Sequence, residues 1–105
     1  MASPQSFYRH VVIFKFKAEA PAARVAAVVE AFQALPSKLP AVLGFEWGTN
    51  VSPENLHQGF THVFTLTFAS QTDLEQRYLH EPAHQQFVAM LDGLLEKALV
   101  VDYQT

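Results

Sequence analysis

The residues Tyr78-Leu-His-Glu-Pro-Ala-His84 place a phenol and two imidazoles around a proline inside an otherwise helical pattern. A phenol can polarise a carbonyl oxygen, and an imidazole can move a proton near neutral pH. Pro82 fixes where the chain bends, because it lacks a backbone donor and restricts the residue before it. His84 falls on an apolar stripe just inside the resumed helix, where exposed amides disfavour imidazolium and leave a neutral base. Tyr78 points inward and needs a polar partner, which a substrate carbonyl or a free backbone carbonyl at the bend could supply. Both side chains have a structural alternative, satisfying backbone groups at a helix junction.

Two further histidines lie on strands. His62 shares a face with Phe64, Leu66 and Phe68, and His10 shares one with Val12 and Phe14. A greasy cavity would draw on Phe14, Phe32, Phe64, Leu66 and Phe87, with Trp47 as a wall or a packing residue. The strands carrying His10 and His62 run antiparallel, so the two imidazoles need not share one site. His57 and His80 read as solvated, and Glu46 and Asp102 as solvating groups at strand edges. Pro82 interrupts the His80–His84 spacing, so no metal site is expected. Nothing in the motifs calls for a cofactor.

The elements that must hold these groups follow from periodicity. Tyr8 to Lys17 alternates as a strand with apolar groups on both faces, so it is covered on two sides. Pro21 opens a helix with Val25, Val28, Val29, Phe32, Leu35 and Leu39 as its stripe, and Pro36 and Pro40 end it. Val42 to Trp47 makes a second strand, followed by a polar connection from Gly48 to Gly59. Phe60 to Phe68 is the clearest strand. Thr72 and Glu75 have capping-box spacing ahead of a helix through Leu74 and Tyr78. After Pro82 the inward stripe is His84, Phe87, Val88, Leu91, Leu94 and Leu95, and a last strand covers Ala98 to Tyr103.

The order βαββαβ predicts an α+β, ferredoxin-like fold, with both helices on one face of an antiparallel four-stranded sheet. Its other face, apolar through Val11, Ile13 and Val63, would pack on a second copy to form a dimeric α+β barrel. One domain spans residues 1–105, with 1–6 as a flexible tail.

Composition limits the partners. Half of the 105 residues are hydrophobic and only 16% charged, a surplus of apolar surface that favours a homodimer. The seven Lys and Arg are scattered and the net charge is −3, which argues against nucleic acid. With no cysteine there is no disulfide or thiolate chemistry. No signal peptide and no apolar run of the roughly 18 residues a membrane span needs is visible, so a cytoplasmic protein without membrane contact is expected.

Several stretches together resemble the stress-responsive α/β-barrel (Dabb) family. They are His10-Val-Val-Ile-Phe-Lys-Phe-Lys17, Trp47-Gly-Thr-Asn50 with Gly59-Phe-Thr-His62, Tyr78 with Pro82-Ala-His84, and Val101-Asp-Tyr103. The resemblance covers nearly the whole chain and implies the dimeric barrel, but not one function. Some such proteins have no known chemistry. Others, the polyketide cyclases of the olivetolic acid cyclase type, close a ring in a poly-β-keto thioester by aldol condensation without metal or redox cofactor. That likeness implies Tyr78 and His84 as the catalytic pair, with His10 and His62 as strand histidines near the substrate. The chain departs from the family pattern in having Glu81 before Pro82, His80 one place earlier, and a later helix start. Two functions follow as expectations. One is acid/base cyclisation, dehydration or condensation of a poly-carbonyl compound; the other is a non-catalytic homodimer that binds a hydrophobic ligand or stabilises other proteins.

Overall fold

The computed structural model describes residues 6–105, so most of the expected N-terminal tail lies outside the described residues. Ser6 is tied down, since its hydroxyl donates to the Thr105 carbonyl at 2.8 Å. The elements are β1 (Tyr8–Phe16), α1 (Ala22–Ala34), β2 (Gly44–Thr49), β3 (His62–Phe68), a π-helical turn (Asp73–Tyr78), α2 (Pro82–Met90) and β4 (Leu95–Gln104). All strand pairs are antiparallel, in the order β2-β3-β1-β4. This is the expected ferredoxin-like α+β arrangement.

Alternation along β1 decides the layers. His10, Val12 and Phe14 are buried beneath the helices, while Val11, Ile13 and Lys15 on the other face stay half exposed. On β3 the residues Phe64, Leu66 and Phe68 are fully buried against the same layer. Phe32 of α1 joins them, its ring 4.3 Å from that of Phe64 and 4.5 Å from that of Phe87. These aromatic rings form the centre of the core.

Helix boundaries follow local chemistry with some shifts from expectation. Pro21 stands just outside α1 in an extended conformation, and its carbonyl accepts from Arg24 and Val25. Pro36 tightens the end of α1 into a short 3₁₀ turn, Leu35–Ser37. The Thr72 capping box does not form. Thr72 is already helical, and Ser70 Oγ instead accepts from the Asp73 amide at 3.2 Å. The turn is wider than α because the Leu79 amide donates to the Leu74 carbonyl, five residues back.

The expected inward stripe after Pro82 is shorter than its spacing implied. Helix α2 stops at Met90, Gly93 reverses the chain at φ +75°, and Leu95 already belongs to β4. Leu94 reaches the core from the reversal, while Val88 is exposed. Likewise β3 begins at His62 rather than Phe60, because Gly59, at φ +81°, turns the chain just before it.

The face away from the helices is open. Its apolar residues continue from β1 and β3 onto β4, where Leu99 and Val101 stand opposite Ile13 and Val11. Val101 is 49% exposed. The 50–61 connection folds over one end of this face, with Leu56, His57 and Phe60 beside Ile13, Val63 and Leu99. His57 is therefore half buried, not solvated, and its Nδ1 is buried without a hydrogen-bond partner.

Candidate active site

A cavity of about 430 Å³ opens between β1, β4, the π-helical turn and α2. Its floor is apolar through Val12, Phe14, Phe32 and Phe87, and its polar end collects His10, Tyr78, His84, Asp102 and Glu75. Volume and lining suit a small organic molecule with one greasy end and one polar end.

The register of β1 on β4 builds the first part of the polar end. It sets Asp102 directly opposite His10 on the helix-covered face, and His10 Nδ1 donates to Asp102 Oδ1 at 2.7 Å. A carboxylate accepts only, so this contact leaves Nε2 as the lone-pair nitrogen of neutral His10. The second carboxylate oxygen accepts from the Tyr8 hydroxyl at 3.0 Å.

The π-helical turn and α2 build the second part. Tyr78 closes the turn and is 1% exposed. Its ring centre lies 4.5 Å from that of His84 and 6.0 Å from that of His10. Burial pushes the Tyr78 phenol far up, so it remains a proton donor across the neutral range. Pro82 opens α2 and puts His84 in its first turn, facing back to Tyr78. The His84 imidazole is held below its ordinary value chiefly by burial. The Leu79 carbonyl opposes that shift and His10 adds to it. Nδ1 of His84 is buried and makes no hydrogen bond of ordinary geometry, so the carbonyl's influence is short of a closed bond. His84 is thus a neutral imidazole at pH 7.

His62 and Trp47 lie elsewhere. The antiparallel register puts His62 opposite Phe14 and Leu66 opposite His10, so the two histidines are four residues, about 13 Å, apart along the sheet. His62 stacks parallel to Trp47 (6.2 Å, 4°), meets Phe16 edge-on, and shares a hydrogen bond with Thr61. Partial burial lowers its imidazole. These side chains border a broader groove of about 860 Å³ beside α1. That groove is the larger of the two, and among the described residues lining it the other ionisable groups are Lys17 and Glu30. The smaller cavity holds the paired chemistry.

Of the expected lining residues, Phe14, Phe32 and Phe87 reach the cavity, whereas Phe64 and Leu66 are sealed in the core beneath it. Asp102 is the residue that sequence reasoning misjudged. Its one signal was a carboxylate at an even position in Val100-Val-Asp-Tyr103, on the same face as Val100, which also lines the cavity.

Burial of neutral imidazoles makes stability depend on pH. The unfolded chain takes up a proton at each histidine near 6.5, whereas folded His84 and His62 do so only at lower pH. Below about 6.5 the unfolded state therefore binds more protons, and stability falls as pH drops; above it the contribution is complete. Thermal unfolding between about pH 7.5 and about pH 5.5 should show a smaller loss for His84→Leu than for the wild type. Equal losses would contradict the buried neutral imidazole.

No helix among the described residues is long and apolar enough to cross a membrane. The family model for the stress responsive A/B barrel domain matches residues 8–105. A stress-response A/B barrel domain-containing protein, HS1 of Arabidopsis thaliana, is 35% identical over 96 residues, covering 91% of this chain and 87% of that protein. Olivetolic acid cyclase of Cannabis sativa is 30% identical over 95 residues, covering 90% and 93%. The solved structure of a hydroxynitrile lyase from Passiflora edulis superposes with a TM-score of 0.88 at 25% identity, covering 97% and 95%. Other solved structures with this fold are described as dimeric ferredoxin-like proteins of unknown function. With a ferredoxin-like sheet, a matched family model over residues 8–105 and these relatives, the chain belongs to the stress-responsive A/B barrel domain family.

Proposed function

We propose that this protein is a cofactor-independent acid/base enzyme that closes a ring in a poly-carbonyl, polyketide-like compound. The observation that carries the reading is the convergence of Tyr78, His84 and the His10–Asp102 pair at the polar end of one greasy cavity. Its likeness to an olivetolic acid cyclase and to a hydroxynitrile lyase supports carbon–carbon bond chemistry beside a carbonyl.

The chemistry closes without a co-reactant. A C–H between two carbonyls loses its proton to neutral His84, and the resulting enolate carbon attacks a second carbonyl of the same chain. The new alkoxide takes the proton of the Tyr78 phenol, and the His84 imidazolium returns a proton to Tyr78. In its neutral form His10 offers Nε2 as an acceptor to an enol hydroxyl of the bound substrate, while Asp102 holds its other nitrogen. The apolar floor keeps the chain folded and water out, which favours attack within the molecule.

The test is ring closure of a linear poly-β-keto N-acetylcysteamine thioester, followed by mass spectrometry and chromatography. Cyclised product must form faster than in buffer, and this excess must disappear when an unreactive analogue fills the cavity. No excess over buffer would remove the assignment.

The protein acts as a homodimer in this reading, paired through the open sheet face. Val101 and Ile13 offer exposed or half-exposed apolar surface there, and solved structures of this fold are described as dimeric. Val101→Asp buries a charge in that interface and should convert the dimer to monomer by analytical ultracentrifugation at micromolar concentration. An unchanged sedimentation coefficient would place the interface elsewhere. The same apolar face and the stress-response relatives favour a second reading, a non-catalytic dimer acting on other proteins or a hydrophobic ligand. A dimer that never turns over poly-carbonyl substrates would select it.

A further inference from the structure

We propose that Tyr8 is a positioning residue that locks the Asp102 carboxylate, so that Asp102 can hold His10 in its Nδ1–H tautomer with Nε2 free for substrate. The inference rests on the acid/base reading of the cavity above.

Asp102 lies on β4, an edge strand, and its side chain is 26% exposed. A carboxylate at such a position can rotate toward water unless both oxygens are engaged. Here both are. Oδ1 accepts from His10 Nδ1 at 2.7 Å, and Oδ2 accepts from the Tyr8 hydroxyl at 3.0 Å. Tyr8 and His10 are two residues apart on β1, hence on one face, with Gln104 and Asp102 opposite them on β4. One strand thus presents two donors to a single acceptor on its neighbour.

The backbone beneath Tyr8 is held as well. The Thr105 amide donates to the Phe7 carbonyl at 2.9 Å, and the Phe7 amide donates to Thr105 Oγ1 at 2.8 Å. These bonds tie the end of β4 to the start of β1, so the phenol is delivered from a fixed strand end. Other ionisable groups facing the pair are Glu75 and Tyr78 from the π-helical turn and His84 from α2. None of them makes a hydrogen bond to Asp102 among the described residues, so Tyr8 and His10 alone define its orientation. The Tyr8 phenol is raised by desolvation first and then by Asp102, so it stays protonated and donating at neutral pH.

Free imidazole favours the Nε2–H tautomer, so an Nδ1–H tautomer at His10 is a direct signature of an oriented Asp102. Nitrogen-15 shifts of the histidine rings, recorded on the substrate-free protein at about pH 8, read the tautomer ratio. The wild type should be mainly Nδ1–H at His10. Tyr8→Phe should lower the Nδ1–H to Nε2–H ratio by about tenfold, the lower end of what one hydrogen bond to a charged group is worth. Asp102→Asn should lower it further. An unchanged ratio in Tyr8→Phe with a native amide spectrum overturns the proposal, as does an Nε2–H tautomer in the wild type. In the cyclisation assay Tyr8→Phe should raise KM, because His10 Nε2 accepts from the bound substrate, and leave kcat unaltered. The tautomer needs no substrate, so a cyclase reading that fails leaves this test standing, and the reverse also holds.

Discussion

His84→Ala should reduce kcat/KM for ring closure by about 10²- to 10⁴-fold, the span that a positioned general base contributes. Alanine removes the base that this reading places at the acidic C–H, while His10 Nε2 is engaged by the substrate's enol hydroxyl. Tyr78→Phe should cost about 10²- to 10³-fold, as expected when one donor to a developing oxyanion is removed. The phenylalanine ring fills the same buried space, so stability should change little while the donor is lost. Combining the two should cost less than the product of the single effects, since in the proposed reaction phenol and imidazole pass one proton between them. Steady-state kinetics on the poly-β-keto thioester checks all three. Turnover that survives both substitutions would move the chemistry to another part of the molecule.

Phe64→Ala should destabilise the fold by about 3–5 kcal/mol. Phe64 is wholly buried at the centre of the aromatic layer, within 4.3 Å of the Phe32 ring, 5.5 Å of Phe14 and 5.8 Å of Trp47. These rings come from β1, α1 and β2, so the vacated space cannot close by moving one element. A chain of this size loses about 4–8 °C of Tm per kcal/mol, so a drop of roughly 20 °C is expected by calorimetry. The shape of the candidate site depends on the same layer, because Phe14 and Phe32 also form the cavity floor. A loss below about 1 kcal/mol would show that the core tolerates the cavity and is less tightly packed than the ring distances indicate.

Much of this molecule can be read from residue order. Alternation made Tyr8–Phe16 and His62–Phe68 strands, since a pleated backbone sends successive side chains to opposite faces whatever surrounds it. The apolar stripe with Pro36 behind it made α1, and the phenol–imidazole pair about Pro82 needed only a bend whose position proline fixes. These are local properties, determined within a few residues of chain.

Tertiary structure decided what depends on register and on hydrogen bonds between distant segments. The pairing of His10 with Asp102 spans 92 residues and follows from how β1 slides against β4, which no local pattern encodes. The same sliding of β1 against β3 sent His62 and Trp47 to a different groove from His10. At Thr72 the capping-box spacing went unused: Thr72 is already helical, Ser70 Oγ accepts from the Asp73 amide, and the turn closes on a five-residue hydrogen bond. Short-range residue types thus supplied the candidate groups, and only long-range pairing decided which of them stand together.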